Sequence, residues 1–351
     1  MTRVAINGFG RIGRNAFKIA FEKDDLEIVA INDLTDNKTL AYLLKHDSNY
    51  GEYHKDVSYD DNNLIIGDYD ANDDKVRQTT IPVFEEMDPA KLPWAKLNVD
   101  IVIESTGHFT DAAGASLHIK AGAKKVIISA PAKGNDSKVR THVIGVNDSD
   151  IDHATSVISN ASCTTNCITP VAAVIEKALG IEKAMMTTVH SYTASQALQD
   201  GPAKDIRESR AAAENIVPTT TGATIAAAQA LPALEGVFTG LSIRVPTPVV
   251  SLSDFTFLTK KDTTIEEVNL LIKQATDTPR LKGILNWTEE ELVSTDFIGD
   301  PHSAIADLNL TNVVGGNMVK VVAWYDNEWG YSNRLVEMVE LVGKTLTGKK
   351  Q

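Results

Sequence analysis

The sequence predicts an α/β chain in two domains, a parallel one of alternating strands and helices followed by an α+β one with a mainly antiparallel sheet. Three observations carry this reading. At 351 residues the chain is longer than one hydrophobic core usually serves. Its first third alternates short β-branched runs with helical stretches, the pattern of βαβ units on a parallel sheet. After about residue 160 the apolar residues recur in period two with no helices between neighbouring runs, which suits an antiparallel sheet covered on one face.

Composition narrows the class. Hydrophobic residues make up 43% and charged residues 23%, as in ordinary globular proteins. A net charge of −13 repels phosphate backbones and anionic lipid, so neither a nucleic acid nor a membrane partner is expected. No apolar run approaches the ~18 residues needed to span a bilayer. The opening MTRVAINGFG is a strand pattern and not a secretory signal, and two cysteines suit a reducing cytosol better than a disulfide framework.

Taken in order, RVAING reads as a strand, RIGRNAFKIAFEK as a helix, EIVAIND as a strand and DNKTLAYLLKH as a helix. VDIVIEST, KKVIISAP and HVIGVN read as further strands, with DAAGASLHIKAG as a helix after the first of them. The Asp- and Asn-rich segment Ser58 to Thr80 is expected as turns or a solvated excursion. The strand-like TSVISN leads into a helix, CITPVAAVIEKAL, in which Pro170 either makes a kink or closes a short first turn. IRVPTPVVSLSDFTFLTK and NMVKVVAWYDN alternate as strands. Thr264 to Glu267 opens TTIEEVNLLIKQAT as a capping box, with Ile265, Val268 and Ile272 on the apolar side, and NRLVEMVELVGKT is a terminal helix.

Strand one runs into Gly8-Phe9-Gly10-Arg11-Ile12-Gly13, a G-x-G-x-x-G. The first glycine permits a tight turn, the second lets backbone approach a pyrophosphate, and the third lets helix and strand pack closely. The following helix offers unpaired N–H groups and a positive dipole end. Asp33, at the end of EIVAIND, can accept hydrogen bonds from an adenosine ribose and would repel a 2′-phosphate. A Rossmann-type site for NAD in preference to NADP follows, against the bland reading of turn glycines and a solvated Asp.

The only two cysteines lie four positions apart in SNASCTTNCITP. Four readings compete: a disulfide, a zinc site, a buried structural pair and a nucleophile. A helical i, i+4 pair stands roughly 5–6 Å apart at Cβ, too wide for a disulfide, and no nearby ligands complete a zinc site. Ser162, Thr164, Thr165 and Asn166 are cap-type residues between a strand and a helix, which sets Cys163 at the helix start. There the dipole favours thiolate, and free N–H groups can hold an oxyanion. Cys167, one turn in, is expected to be the less reactive. Of the histidines at 46, 54, 108, 118, 142, 153, 190 and 302, His190 ends the apolar run AMMTTVHSYT and is the candidate base, though a strand-end histidine often just faces solvent. Arg244, a charge inside IRVPTP, either faces solvent or binds an anion.

INGFGRIGR, ESTG, SNASCTTNC, TTVHSYT, TTTGA, RVPTP and WYDNEWGYSNR together resemble the phosphorylating glyceraldehyde-3-phosphate dehydrogenases, in the family's order and at close to its spacing over nearly the whole chain. The resemblance implies Cys163 as nucleophile and His190 as the base that assists hydride transfer. It implies Thr193 and Arg244 in a pocket for the substrate phosphate, and Ser162, Thr164, Arg207, Thr221 and Gly222 around a second pocket for inorganic phosphate. For NAD it implies Asn7, Gly8, Gly10, Arg11, Ile12, Gly13, Asp33, Thr106, Ser129, Asn327 and Tyr331. The implied reaction takes glyceraldehyde 3-phosphate through a thiohemiacetal and a thioester to an acyl phosphate. The implied assembly is a homotetramer in which the loop QALQDGPAKDIRESRAAAENI reaches a neighbour's cofactor site, and Pro202 within it adds to the NAD preference.

The expected division is 1–162 with 326–351 for NAD binding and 163–325 for catalysis. Two departures stand out. Many members read E-R-D-P where this chain reads Glu86-Met87-Asp88-Pro89, so a cofactor contact from Arg does not carry over, and the segment around 68–80 is longer than usual. The competing readings are erythrose-4-phosphate dehydrogenase, which passes its acyl group to water, and a non-catalytic NAD-binding or thiol redox-sensing protein. The sensor would be expected to lack one of Cys163, His190 and Arg244. A second role as a binding protein for RNA or other proteins is the remaining alternative, and the acidic composition argues against RNA.

Overall fold

Strand Thr2–Asn7 carries Val4, Ala5 and Ile6 with no exposed surface, so apolar cover is required on both faces of its sheet. The structure, a computed structural model, describes residues 1–67, 78–134, 139–152 and 154–346. Most of the 68–80 segment, and His153, lie outside the described residues. The chain forms two compact units: residues up to Arg140, 151–160 and from Leu335 onward make the first, and 141–150 and 161–334 make the second. Relative to the division expected from sequence, residues 141–150, 161–162 and 326–334 group with the second unit. The reason is local bonding: Ser162 caps the helix of Cys163, Tyr331 donates to the Ala161 carbonyl, and Arg334 donates to the Gly283 carbonyl.

In the first unit, nine strands among the described residues form one sheet. Its order is Val139–Thr141, Val157–Ser159, Lys125–Ile128, Ile101–Glu104, Thr2–Asn7, Leu26–Asn32, Gln78–Phe84, Asn63–Gly67 and Asp56–Tyr59. The ladders from Val157–Ser159 through Gln78–Phe84 are parallel. Thr2–Asn7 sits at the switch point, with its successor in sequence on one side and Ile101–Glu104 on the other, where α/β sheets open a ligand crevice at the strand ends. Helices Arg11–Ala20, Asn37–Lys45 and Ala112–Lys120 follow as the patterning requires, the last two capped by Asp36 and Asp111.

Two expectations for this part of the chain need correction. Ser58 to Thr80 is not simply a solvated excursion: strands Asp56–Tyr59, Asn63–Gly67 and Gln78–Phe84 flank its turns. The Asp60 carboxylate organises the turn by accepting from Asn62 and Asn63, while Leu64 and Ile66 are buried. HVIGVN is not a strand, because the strand ends at Thr141 and the Asn147 side chain then folds a turn between the Val143 N–H and the Thr141 carbonyl.

In the second unit the sheet order is Val217–Thr219, Phe238–Val245, Ile181–Ser191, Ser251–Thr259, Met318–Tyr325, Ala304–Asp307 and Leu285–Thr288, with Asn312–Val314 paired to Met318–Tyr325. Most ladders are antiparallel, whereas Ile181–Ser191 runs parallel to Phe238–Val245 and Leu285–Thr288 parallel to Ala304–Asp307. The first parallel pair needs a crossover, which contains helix Ala223–Ala230. Ser251–Thr259 alternates buried and half-buried residues, one face in the core. Helices Cys163–Leu179 and Ile265–Thr276 pack in this unit. Pro170 stands inside the first without ending it. In the second, Val268 and Ile272 are buried but Ile265 is exposed, because the first turn projects past the core. The terminal helix begins early, at Trp329, where the Asp326 carboxylate takes the N–H groups of Glu328 and Trp329.

Candidate active site

The helix that begins at Cys163 is capped by Ser162, whose hydroxyl accepts from the Thr165 N–H at 3.0 Å. The Asn166 N–H goes to the Ser162 carbonyl, so the N–H groups of Cys163 and Thr164 are left facing the sulfur. Just before the cap, Ala161 takes φ +56, and the Tyr331 hydroxyl donates to its carbonyl at 2.9 Å. A left-handed alanine is strained backbone that its surroundings must hold. Cys163 is half-buried, and Cys167 one turn on is buried.

The Cys163 Sγ lies 3.4 Å from His190 Nε2. His190 ends strand Ile181–Ser191 and is buried, so the solvent-facing reading does not hold. Its Nδ1 stands 2.7 Å from the Ser191 carbonyl and also meets Arg244 Nη1. Burial, and then the Arg244 charge, push the imidazole down to about 3, so it is a neutral acceptor at physiological pH. Burial also pushes the Cys163 thiol up, while Arg244, the Thr164 hydroxyl and the two N–H groups pull it down. The expected pull of the helix start is thus present but outweighed. Such a thiol ionises most readily beside a proton acceptor already in contact, and the His190 imidazole is in that position.

Other polar groups set this geometry. The Tyr325 hydroxyl bonds the hydroxyls of Thr164 at 2.9 Å and Thr188 at 2.8 Å, and its ring packs edge-on to His190. The Thr164 hydroxyl is thus shared between Tyr325 and the Cys163 sulfur, and its N–H also faces the sulfur. The Ser191 N–H donates to Ser251 Oγ, which donates to Asn327 Oδ1, so the strand bearing His190 fixes the orientation of the Asn327 amide. Val250 is left-handed at φ +71, with its carbonyl held by the Ser191 hydroxyl at 2.6 Å. Sequence patterning missed Tyr325 and Ser251; the signal available for Ser251 was a serine on the core face of a strand that also places Phe255 and Phe257 there.

The residues expected at phosphate pockets fall into two kinds. Arg244 is turned toward His190, with its Nε buried and unpaired among the described residues, which leaves a cationic donor for an anion. Thr193 bonds Ser195 Oγ through its hydroxyl and Gln196 Oε1 through its N–H. Gly222 starts helix Ala223–Ala230 with no side-chain cap, and the Thr221 hydroxyl takes only the Ala223 N–H. Arg207 is exposed.

In the first unit, Asn7, Gly8, Gly10, Asp33 and Thr106 line one cleft of about 640 Å³ together with Asn32, Leu34, Glu86, Met87, Ser105, His108 and Phe109. That volume is of small-molecule size. Gly8 has φ +90, and a Cβ there would meet the Thr106 nitrogen at 2.6 Å; a Cβ on Gly13 would meet the Gly8 carbonyl oxygen at 2.1 Å. Gly10, by contrast, faces open space and caps helix Arg11–Ala20 without a side-chain bond. Asp33 accepts from the Phe9 N–H at 2.7 Å and the Thr35 N–H at 3.0 Å. An open helix start beside a fixed carboxylate fits the phosphates and ribose of a dinucleotide.

Not every expected residue joins the cleft. Arg11, Ile12 and Gly13 form the first helical turn, and the Arg11 guanidinium is paired with Asp47. Ser129 follows strand Lys125–Ile128, its N–H donating to the Glu104 carbonyl. Asn327 and Tyr331 belong to the second unit. Met87 does line the cleft, 74% exposed. Among the described residues no cluster of His, Cys, Asp or Glu could hold a metal ion, and no helix is long and apolar enough to cross a membrane.

Comparison with known proteins adds two findings. The family described as glyceraldehyde 3-phosphate dehydrogenase, NAD binding domain, matches residues 2–112, and its C-terminal domain matches residues 162–327. The glyceraldehyde-3-phosphate dehydrogenase of Mycolicibacterium smegmatis is 51% identical over 352 residues, covering 98% of this chain and 99% of that one. That of Streptomyces coelicolor is 51% identical over 346 residues, with 98% and 99% covered. Glyceraldehyde-3-phosphate dehydrogenase 1 of Bacillus subtilis is 51% identical over 343 residues, with 97% and 98% covered.

The two thiols should differ sharply in reactivity, since burial pushes the Cys167 thiol far up with no base beside it. Iodoacetamide at neutral pH should label Cys163 and spare Cys167 in the folded protein, as read by peptide mass spectrometry; comparable labelling would refute the role given to the helix start. His190→Asn should slow that labelling at pH 7 and move its pH profile upward, because the thiol must then lose its proton to solvent. An unshifted profile would remove the imidazole as proton acceptor.

Proposed function

The chain belongs to the glyceraldehyde-3-phosphate dehydrogenase family, and on that premise we propose that it oxidises D-glyceraldehyde 3-phosphate to 1,3-bisphosphoglycerate with NAD+ and inorganic phosphate, the glycolytic reaction. The observation that carries the proposal is the 3.4 Å contact between the Cys163 thiol and His190 at a capped helix start. His190 takes the thiol proton, the sulfur attacks the aldehyde carbon, and the imidazolium returns that proton to the carbonyl oxygen to give a thiohemiacetal. The N–H groups of Cys163 and Thr164 hold the oxygen as charge develops on it, an effect worth roughly 10²–10³ in rate per donor. His190 Nε2 then draws the proton from the thiohemiacetal hydroxyl as the carbon is oxidised, leaving a thioester on Cys163. NAD+, when bound, supplies the hydride acceptor. Inorganic phosphate attacks the thioester carbon, and the sulfur leaves as thiolate.

Two anions must therefore be accommodated. Arg244 and Thr193 are assigned to one, supported by the unpaired Arg244 Nε. Ser162, Thr164, Arg207, Thr221 and Gly222 are assigned to the other, supported by the uncapped start of helix Ala223–Ala230. The dinucleotide is assigned to Gly8, Gly10, Asp33, Thr106 and Asn7, with the backbone of Arg11, Ile12 and Gly13 at the helix start and with Ser129, Asn327 and Tyr331 carried by resemblance. A cytoplasmic homotetramer completes the proposal. Its support is a set of exposed apolar side chains on the sheet face away from the core: Met185 and Leu241 on paired strands, and Met318 on the strand beyond Ser251–Thr259.

Three measurements test this. NADH formation from glyceraldehyde 3-phosphate should depend on phosphate or arsenate and fall by roughly three orders of magnitude or more in Cys163→Ser; phosphate-independent turnover, or a preference for erythrose 4-phosphate, would sink the assignment. Asp33→Asn, which keeps the shape but loses the charge, should narrow the NADP+ to NAD+ ratio of dissociation constants by roughly fivefold, about 1 kcal/mol of lost repulsion by calorimetry. An unchanged ratio would take the cleft away from the adenosine ribose. Met185→Glu combined with Leu241→Glu should lower the mass seen by light scattering from four chains to fewer, and a persisting tetramer would clear that face of any part in assembly.

A further inference from the structure

Behind the cleft of the first unit lies a polar cluster that the reaction does not use. Trp94 and His118 have no exposed surface and Glu104 has 1%. An indole N–H can only donate, and Trp94 Nε1 lies 3.0 Å from His118 Nδ1. Nδ1 is therefore the acceptor, the ring proton sits on Nε2, and Nε2 donates to Glu104 Oε2 at 3.0 Å. The same oxygen accepts from Asn7 Nδ2 at 2.6 Å. The other, Oε1, accepts from the Thr106 N–H at 2.9 Å and from the Thr106 hydroxyl. The carboxylate is filled from all sides.

The cluster continues to the rim. Asn7 Oδ1 accepts from Asn32 Nδ2 at 2.7 Å, and the Asn32 amide brackets Glu86, taking its N–H and donating to its carbonyl, each at 2.9 Å. Asn7, Asn32, Glu86 and Thr106 all line the cleft. They stand at or just beyond the ends of strands Thr2–Asn7, Leu26–Asn32, Gln78–Phe84 and Ile101–Glu104. The Thr106 hydroxyl donates inward and accepts from the His108 N–H, so its proton is not available to a ligand. Thr106 and Asn7 thus shape the cleft more than they bond across it.

We infer that Trp94, His118 and Glu104 are positioning residues for the dinucleotide, a buried relay that fixes Asn7 and Thr106, and through Asn7 the Asn32–Glu86 bracket, at the widths the cofactor requires. A buried carboxylate and imidazole cost stability compared with apolar neighbours of the same size, so their retention needs a reason other than packing. The reason is geometric. One carboxylate can hold donors from two strand ends at fixed separation, and an apolar side chain cannot.

The inference rests on reading this cleft as the dinucleotide site, and the experiment separates the two. NAD+ is titrated by calorimetry into full-length wild type, Glu104→Gln, Trp94→Phe and Asp33→Asn, and NADP+ into wild type and Asp33→Asn, with melting temperatures recorded alongside. Glu104→Gln puts an amide where only acceptors fit and should raise the dissociation constant roughly tenfold, the equivalent of one charge-assisted hydrogen bond. Trp94→Phe keeps the packing, frees His118 Nδ1 and should raise it about threefold, with kcat at saturating NAD+ within about twofold of wild type. If Glu104→Gln does not fold, Trp94→Phe decides. Dissociation constants unchanged in the folded variants, with only the melting temperature lowered, would make the cluster a folding device and overturn the inference. If Asp33→Asn leaves cofactor discrimination untouched, the cleft reading falls and takes this inference with it.

Discussion

Ser162 satisfies the Thr165 N–H with its hydroxyl, and that one cap decides which backbone donors the helix of Cys163 leaves over. Without it, four orphan N–H groups would compete for whatever oxygen came near. With it, the donors of Cys163 and Thr164 remain, aimed at the sulfur. The cap follows strained backbone: Ala161 is left-handed, and the Tyr331 hydroxyl donates to its carbonyl. Val250 is a second left-handed residue in this unit, and it is pinned by Ser191, the neighbour of His190. The helix start of Cys163 and the strand end of His190 are thus each joined to a left-handed residue whose carbonyl accepts from a hydroxyl.

The helix starts of the chain sort by what they leave free. Asp36, Asp111, Ser162 and Thr264 each satisfy a backbone N–H with a side chain. Gly10 and Gly222 have no side chain to do so, although at the second the neighbouring Thr221 hydroxyl takes the Ala223 N–H. A glycine cap forgoes the side-chain bond and leaves both the N–H groups and the space beside them to a ligand. These two uncapped starts occur where the sequence motifs expect phosphate groups. The same physical device therefore serves both units, capped where a helix must only be stable or aim at sulfur and uncapped where an anion is expected.

Features that depend on local chemistry were legible in the sequence. Cap residues marked the starts of the helices at Cys163 and Ile265, and the glycine spacing placed the tight turn at Gly8 and the close approach at Gly13. Features that depend on a partner distant in sequence were not. Leu64 and Ile66 belong to a strand because Gln78–Phe84 lies beside them, and an Asp-rich stretch hides that partnership. Ile265 has the right helical phase for the core but sits where the core has ended. Tyr325 is 161 residues from Thr164, and no periodicity links them. The helix-start pull on the thiol was legible, but the opposing effect of burial was not, because the helix start is a local feature whereas burial is a property of everything packed around it.

His190 Nδ1 faces two claims that conflict. The Ser191 carbonyl at 2.7 Å wants a proton on that nitrogen, and the Arg244 N–H wants a lone pair there. When the carbonyl prevails, Nε2 carries the lone pair and can take the thiol proton. When Arg244 prevails, Nε2 carries the hydrogen, and the ring can stabilise a thiolate but not create one. Arg244 also depresses the basicity of the imidazole by its charge. An anion that pairs with Arg244 weakens both effects at once: it draws the guanidinium from Nδ1 and screens its charge. On the proposed assignment of Arg244 to the substrate phosphate, a bound substrate would then meet a stronger base at His190.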